Sequence, residues 1–127
     1  MSSKIAVKTK LFPSKSPLEW AVVSNNILYT AQIPIDKNGE VVTGGIKAQT
    51  KQVFSNLIHT LECVGSKLDD VLQILIYVTK REDLEFVNSV YSTYFNTVYP
   101  NRAAFIVSGL AREEMLVEFV VYAQTYN

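Results

Sequence analysis

Cysteine and histidine are almost missing from this sequence: Cys63 and His59 are the single copies of each. One cysteine excludes an internal disulfide and a cysteine-built zinc site. One histidine makes a Ser-His-Asp triad a poor reading, because a triad needs its base at one specific place. A metal site would have to be built mostly from carboxylates, and no spacing in the chain suggests one. Net charge is missing too, since 12 Lys and Arg balance 12 Asp and Glu. A neutral chain without a dense basic run has no electrostatic reason to collect on nucleic acid or on an anionic membrane. No apolar run reaches the roughly 18 residues that span a bilayer. The opening residues, Met1-Ser2-Ser3-Lys4-Ile5, lack the apolar stretch of a secretory leader, so a cytoplasmic location is expected.

Apolar material is what the chain does have. Of its 127 residues, 48% are hydrophobic and 19% are charged, which excludes a disordered chain and predicts one domain over 1–127. Residues 4–10 and 19–24 read as strands, and Ser24-Asn25-Asn26 turns the second into a third at 27–33. Ile46, Val53, Phe54, Leu57, Ile58, Leu61 and Val64 recur at helical steps and stop before Gly65. Residues 71–78 are apolar on both faces, as a buried central strand requires. A second helix is predicted over 82–98, with Leu84, Val87, Tyr91, Tyr94, Phe95 and Val98 on one face. Strands follow at 102–107 and 115–124.

The order β-β-β-α-β-α-β-β predicts an α+β fold: a single sheet with two long amphipathic helices on one face. The other sheet face also needs cover, and the chain has no helix left to supply it. Burial against further copies of itself is expected, making the protein a homo-oligomer.

Two residues can carry chemistry. Arg102 heads an otherwise apolar strand, and its guanidinium fork fits a carboxylate with two parallel hydrogen bonds. From the pattern alone it also reads as a strand-edge arginine pointing at water or at a neighbouring carboxylate. Glu118 shares a strand face with Leu116, Val120 and Tyr122, where a carboxylate is costly unless paired, protonated or open to a cleft. It can hold a water or act as a general base, or it can be a solvated rim glutamate. Cys63 reads as a small hydrophobe beside core positions, and His59 as a half-exposed helix residue. Gly44-Gly45 lacks the lysine and hydroxyl of a phosphate loop and reads as a turn.

Three segments carry a resemblance. Tyr29-Thr30-Ala31-Gln32-Ile33-Pro34 resembles a Ser-Gly-Gln-Ile/Val-Pro segment. Pro100-Asn101-Arg102-Ala103-Ala104 is similar to Pro-x-Arg-Ser-Cys, and Val117-Glu118-Phe119-Val120-Val121-Tyr122-Ala123 to a closing Val-Glu-Ile-Glu-x-Ile-Ala strand. Leu68-Asp69-Asp70-Val71 and Phe86-Val87-Asn88-Ser89-Val90-Tyr91 fit between them. Together they resemble the pattern of the reactive-intermediate deaminase (RidA/YjgF) family.

The resemblance implies a chorismate-mutase-like fold and a homotrimer with clefts between subunits. It implies hydrolysis of 2-imino or enamine acids, such as 2-aminoacrylate-type intermediates, to 2-oxo acids and ammonia, with no metal or organic cofactor. Arg102 would bind the substrate carboxylate and Glu118 the attacking water. Leu18, Thr30, Ala31, Asn88 and Ala104 would line the substrate site. The sequence departs from the family pattern at Thr30-Ala31, at Ala104 where cysteine is usual, at Leu18 where many members have tyrosine, and at Ala111 where proline is common. These changes keep two alternatives open: a pathway-specific deaminase of a related enamine, and a non-catalytic trimer that binds a small carboxylate as a regulator.

Overall fold

A computed structural model describes residues 3–126. Six strands form one mixed sheet, carrying two long helices: β1 Ile5–Ala6, β2 Ala21–Ser24, β3 Ile27–Gln32, α1 Gly45–Glu62, β4 Val71–Val78, α2 Asp83–Tyr94, β5 Asn101–Ile106 and β6 Val117–Gln124. The sheet order is β1-β2-β3-β6-β4-β5. The expected α+β architecture is the observed one.

Local chemistry explains the elements. Asn25 and Asn26 adopt φ of 51° and 65°, the left-handed pair that a tight β2–β3 hairpin requires and that asparagine tolerates. β4 and β5 are parallel and are joined through α2 as a right-sized βαβ crossover. β6 inserts between β3 and β4 and is antiparallel to both. Its Val117, Phe119, Val121 and Ala123 are fully buried against the helices. Phe54 of α1 seals that layer, stacking on Tyr94 at 4.2 Å and meeting Phe119 edge-on at 5.2 Å.

Two sequence expectations shift. The first strand is two residues long, not 4–10, because the chain leaves the sheet and crosses to α1, where the Lys10 N–H bonds His59. The second helix ends at Tyr94, not 98. Phe95 is already extended at φ −112° and ψ 144°, and Val98 is 97% exposed rather than part of the apolar face. Asn96, Thr97 and Val98 are weak helix formers ahead of Pro100, and Phe95 stays buried in the core without a further turn. Cys63 is also not a core residue: it is exposed, with its sulfur 3.6 Å from His59 Nε2.

The sheet face away from the helices is apolar and only half covered. Tyr29 packs edge-on against Tyr122 at 5.5 Å, and Tyr77 stacks on Phe105 at 5.2 Å. Leu75, Ala103 and Val120 share this face. Among the described residues no helix is long and apolar enough to cross a membrane.

Candidate active site

Arg102 lies on β5 opposite Ile74 of β4, and so projects on the helix side of the sheet. α2 supplies its surroundings. Arg102 Nη2 donates to Asn88 Oδ1 at 2.5 Å, and the guanidinium carbon lies 4.8 Å from the centre of the Tyr91 ring. Asn88 and Tyr91 are three residues apart, so one helix face presents an acceptor and an aromatic plate together. A guanidinium has five N–H donors, and Asn88 takes one. The ring contact and the single acceptor restrain the group while leaving most of its fork unspent. Tyr91 is 94% buried by its 6% exposure, and its hydroxyl has no hydrogen-bond partner among the described residues. Burial pushes that hydroxyl's pKa up, and the adjacent Arg102 pulls partly against it through its charge and a close approach to the hydroxyl that falls short of hydrogen-bond geometry.

Glu118 faces the other way. It pairs with Tyr77 in the β4–β6 register and projects onto the outer face with Val120. Loss of water around it raises its carboxyl pKa above 4.5. The entry into its strand is set by Gln49, a buried side chain of α1. Gln49 Nε2 donates to the Val42 and Glu114 carbonyls at 3.2 and 2.9 Å, and its Oε1 accepts the Leu116 N–H at 2.7 Å. One amide thus anchors the chain two residues before Glu118.

The remaining sequence-derived positions divide between the two faces. Ala104 pairs with Ile76 and stands on the same side of β5 as Arg102. Ala31 pairs with Val120, which makes it a diagonal neighbour of Glu118 on the outer face. Thr30 is buried and turned inward: its hydroxyl donates to the Trp20 carbonyl at 2.6 Å and accepts from Gln32 Nε2 at 2.9 Å. That hydroxyl is spent on the fold. Leu18 is 49% exposed on the segment entering β2. One chain therefore brings Arg102, Asn88 and Ala104 together, and Ala31 with Glu118, but separates the two groups by the thickness of the sheet. Sequence reasoning missed the Tyr91 plate and the Gln49 anchor. Tyr91 read as one more member of an apolar stripe; its i+3 spacing from Asn88 was the available signal. Among the described residues no group of three or more His, Cys, Asp and Glu could hold a metal ion.

Known proteins share this sequence pattern and this fold. The sequence profile of the family described as Endoribonuclease L-PSP matches residues 9–125. A RutC family protein of Pyrococcus horikoshii is 39% identical over 111 residues, covering 85% of this chain and 88% of that protein. The 2-iminobutanoate/2-iminopropanoate deaminase of Mus musculus is 32% identical, covering 86% of this chain and 82% of its own. The crystal structure of the conserved Rid family protein YyfA of Yersinia pestis superposes with a TM-score of 0.90 at 34% identity, over 96% of this chain and 99% of that one. The fold defines a Rid-type α+β protein. The chain belongs to the Endoribonuclease L-PSP family, which is the YjgF/RidA family of the sequence resemblance.

Proposed function

We propose that this protein is a hydrolase of reactive 2-imino and enamine acids, converting them to 2-oxo acids and ammonia. The observation that carries the reading is the Arg102 guanidinium, held by Asn88 and the Tyr91 ring with most of its donors free. A carboxylate next to a C=N carbon fits that fork. The imine carbon is already electrophilic, so hydrolysis needs a positioned water more than a strong nucleophile. Glu118 supplies that position. Its raised pKa makes its carboxylate a better proton acceptor than an exposed one, so it takes a proton as water adds to the carbon. Glu118 returns that proton to the nitrogen, the hydroxyl of the carbinolamine gives up its own, and the C–N bond breaks to release ammonia and leave the 2-oxo acid.

Arg102 and Glu118 project from opposite faces of one sheet, so the reading includes a second subunit. A homotrimer burying the outer face supplies Ala31 and Glu118 from one copy to the Arg102 of the next. The reading places this chemistry in the cytoplasm. The mouse relative's name supports the reaction class. The endoribonuclease description of the family gains little support here, since 12 basic residues only balance 12 acidic ones and RNA phosphates call for basic clusters.

The test generates 2-aminoacrylate and longer 2-imino acids in situ, traps them with semicarbazide, and measures how added protein suppresses trapping. Wild type is expected to suppress it, and Arg102→Ala to lose about ten- to a hundredfold in kcat/KM from the missing charge-assisted pair. No suppression by wild type with any side chain would overturn the reading. Tight 2-oxo acid binding in that event would favour the non-catalytic regulator.

A further inference from the structure

Between residues 10–12, the end of β3 and α1 lies a cavity of about 280 Å³ that none of Arg102, Asn88, Ala104 and Glu118 borders. Its aromatic walls, Phe12 and Trp20, are fixed in place. The Trp20 indole N–H donates to the Phe12 carbonyl at 2.7 Å. The Phe12 ring rests on Gly39, where an added Cβ would come within 2.6 Å of it. Gly39 is itself in the left-handed region at φ +79° and its carbonyl accepts from Arg112 Nη1 at 2.5 Å. His59 lines the same cavity, and its Nε2 accepts the Lys10 N–H at 2.9 Å.

Charge selects the ligand class. Lys10 and Lys37 border the cavity, and Asp36 is the one carboxylate among its lining residues. The Asp36 Oδ1 already accepts the Asn38 and Glu40 N–H groups at 2.8 and 3.1 Å. Two lysines against one engaged carboxylate leave the lining one positive charge in excess. A volume just below the roughly 300 Å³ where ligand sites begin, mostly apolar with a few polar groups, suits one ring and a short arm. We infer that this cavity is a second ligand site, for a small aromatic monocarboxylate whose ring lies against Phe12 and Trp20 and whose carboxylate meets Lys10 and Lys37. The site is independent of the deaminase reading, because it shares none of the residues on which that reading rests.

Trp20 is the chain's single tryptophan, so its fluorescence reports binding; because it also borders the outer-face cleft beside Ala31 and Val120, the cavity-filling variant below assigns the response. The full chain is titrated with phenylacetate and with phenylacetamide as the neutral counterpart, with calorimetry alongside. A saturable response to the acid, and a several-fold weaker one to the amide, is expected. Ser55 lines the cavity from an exposed position on α1, so Ser55→Phe fills the space and should abolish the response. The double variant Lys10→Glu/Lys37→Glu should weaken it about fivefold, the scale of exposed charge pairs. It also keeps the test alive if Ser55→Phe fails to fold. Arg102→Ala should bind phenylacetate as wild type does. Absence of a saturable response in wild type overturns the inference, as does equal binding of the amide. Loss of binding in Arg102→Ala with retention in Ser55→Phe overturns it too, by placing the ligand at β5.

Discussion

Tyr91 separates two contributions that a single arginine substitution would merge. Its ring supports the guanidinium, while its buried hydroxyl has no partner and is a standing cost. Tyr91→Phe keeps the plate and removes the orphan. It is expected to leave KM unchanged and to raise stability in urea unfolding by up to about 1 kcal/mol. Tyr91→Leu loses the plate, and KM is expected to rise about fivefold, the scale of a partly desolvated cation–π contact. Equal kinetics for the two variants would show that the ring does not position Arg102. Glu118 allows a signed prediction. Its folded pKa is raised, so the folded chain binds the proton more tightly than the unfolded one. The stability this group contributes is present below the unfolded pKa and lost as pH rises through the folded value. At neutral pH the ionised carboxyl is therefore a net penalty. Glu118→Gln stays neutral throughout, so it should be more stable than wild type near pH 7 and gain nothing well below pH 4.5, while deamination falls at least about tenfold. Urea titrations at both pH values, beside the trapping assay, check the sign.

At the scale of elements, legibility followed whether the decisive contacts were local. β6 alternates buried and half-buried residues without a break, so its apolar face and the odd position of Glu118 were readable from the period alone. The hairpin turn at Asn25-Asn26 was readable for the same reason. The C-terminus of α2 was not, because the apolar spacing continues to Val98 while the helix stops where Phe95 finds the core without another turn. Arg102 and Glu118 were both singled out, yet nothing local says that they face opposite ways. That follows from the parallel β4–β5 pairing and from β6 inserting beside β4, contacts made between distant parts of the chain. Thr30 shows the limit of motif carry-over: its place in the segment is right, but its hydroxyl is turned into the Trp20–Gln32 network. Asn56 is a second nonlocal tie, buried on α1 with its Nδ2 donating to the Ile33 and Ile35 carbonyls at 3.1 and 3.0 Å. Asn56→Ala strands both carbonyls, and a loss of about 2 kcal/mol is expected by denaturant unfolding. A loss under about 0.5 kcal/mol would mean that water replaces the amide there.

The whole molecule carries an unfinished surface and an unfinished site, and the two ask for the same remedy. The outer sheet face holds Tyr29, Val120, Tyr122 and Phe105, with Tyr29 and Phe105 still 41% and 43% exposed. In the proposed homotrimer, burial of this face would bring one copy's Glu118 toward another's Arg102. Shared sites have a consequence that self-contained ones lack. Arg102→Ala keeps Glu118, and Glu118→Gln keeps Arg102, so each variant alone is impaired at every site. When the two are unfolded together in equal amounts and refolded, a site receives an intact arginine half the time and an intact glutamate half the time. Random assembly should therefore restore about a quarter of wild-type activity, provided the trimer is symmetric and each site draws the two residues from different copies. Separately refolded variants mixed afterwards should regain nothing until their subunits exchange. If co-refolded mixtures never exceed the sum of the parents, Arg102 and Glu118 act within one chain. In that case the Arg102 strand would have to turn around the β5 edge to reach the outer face, giving up its contacts with Asn88 and Tyr91.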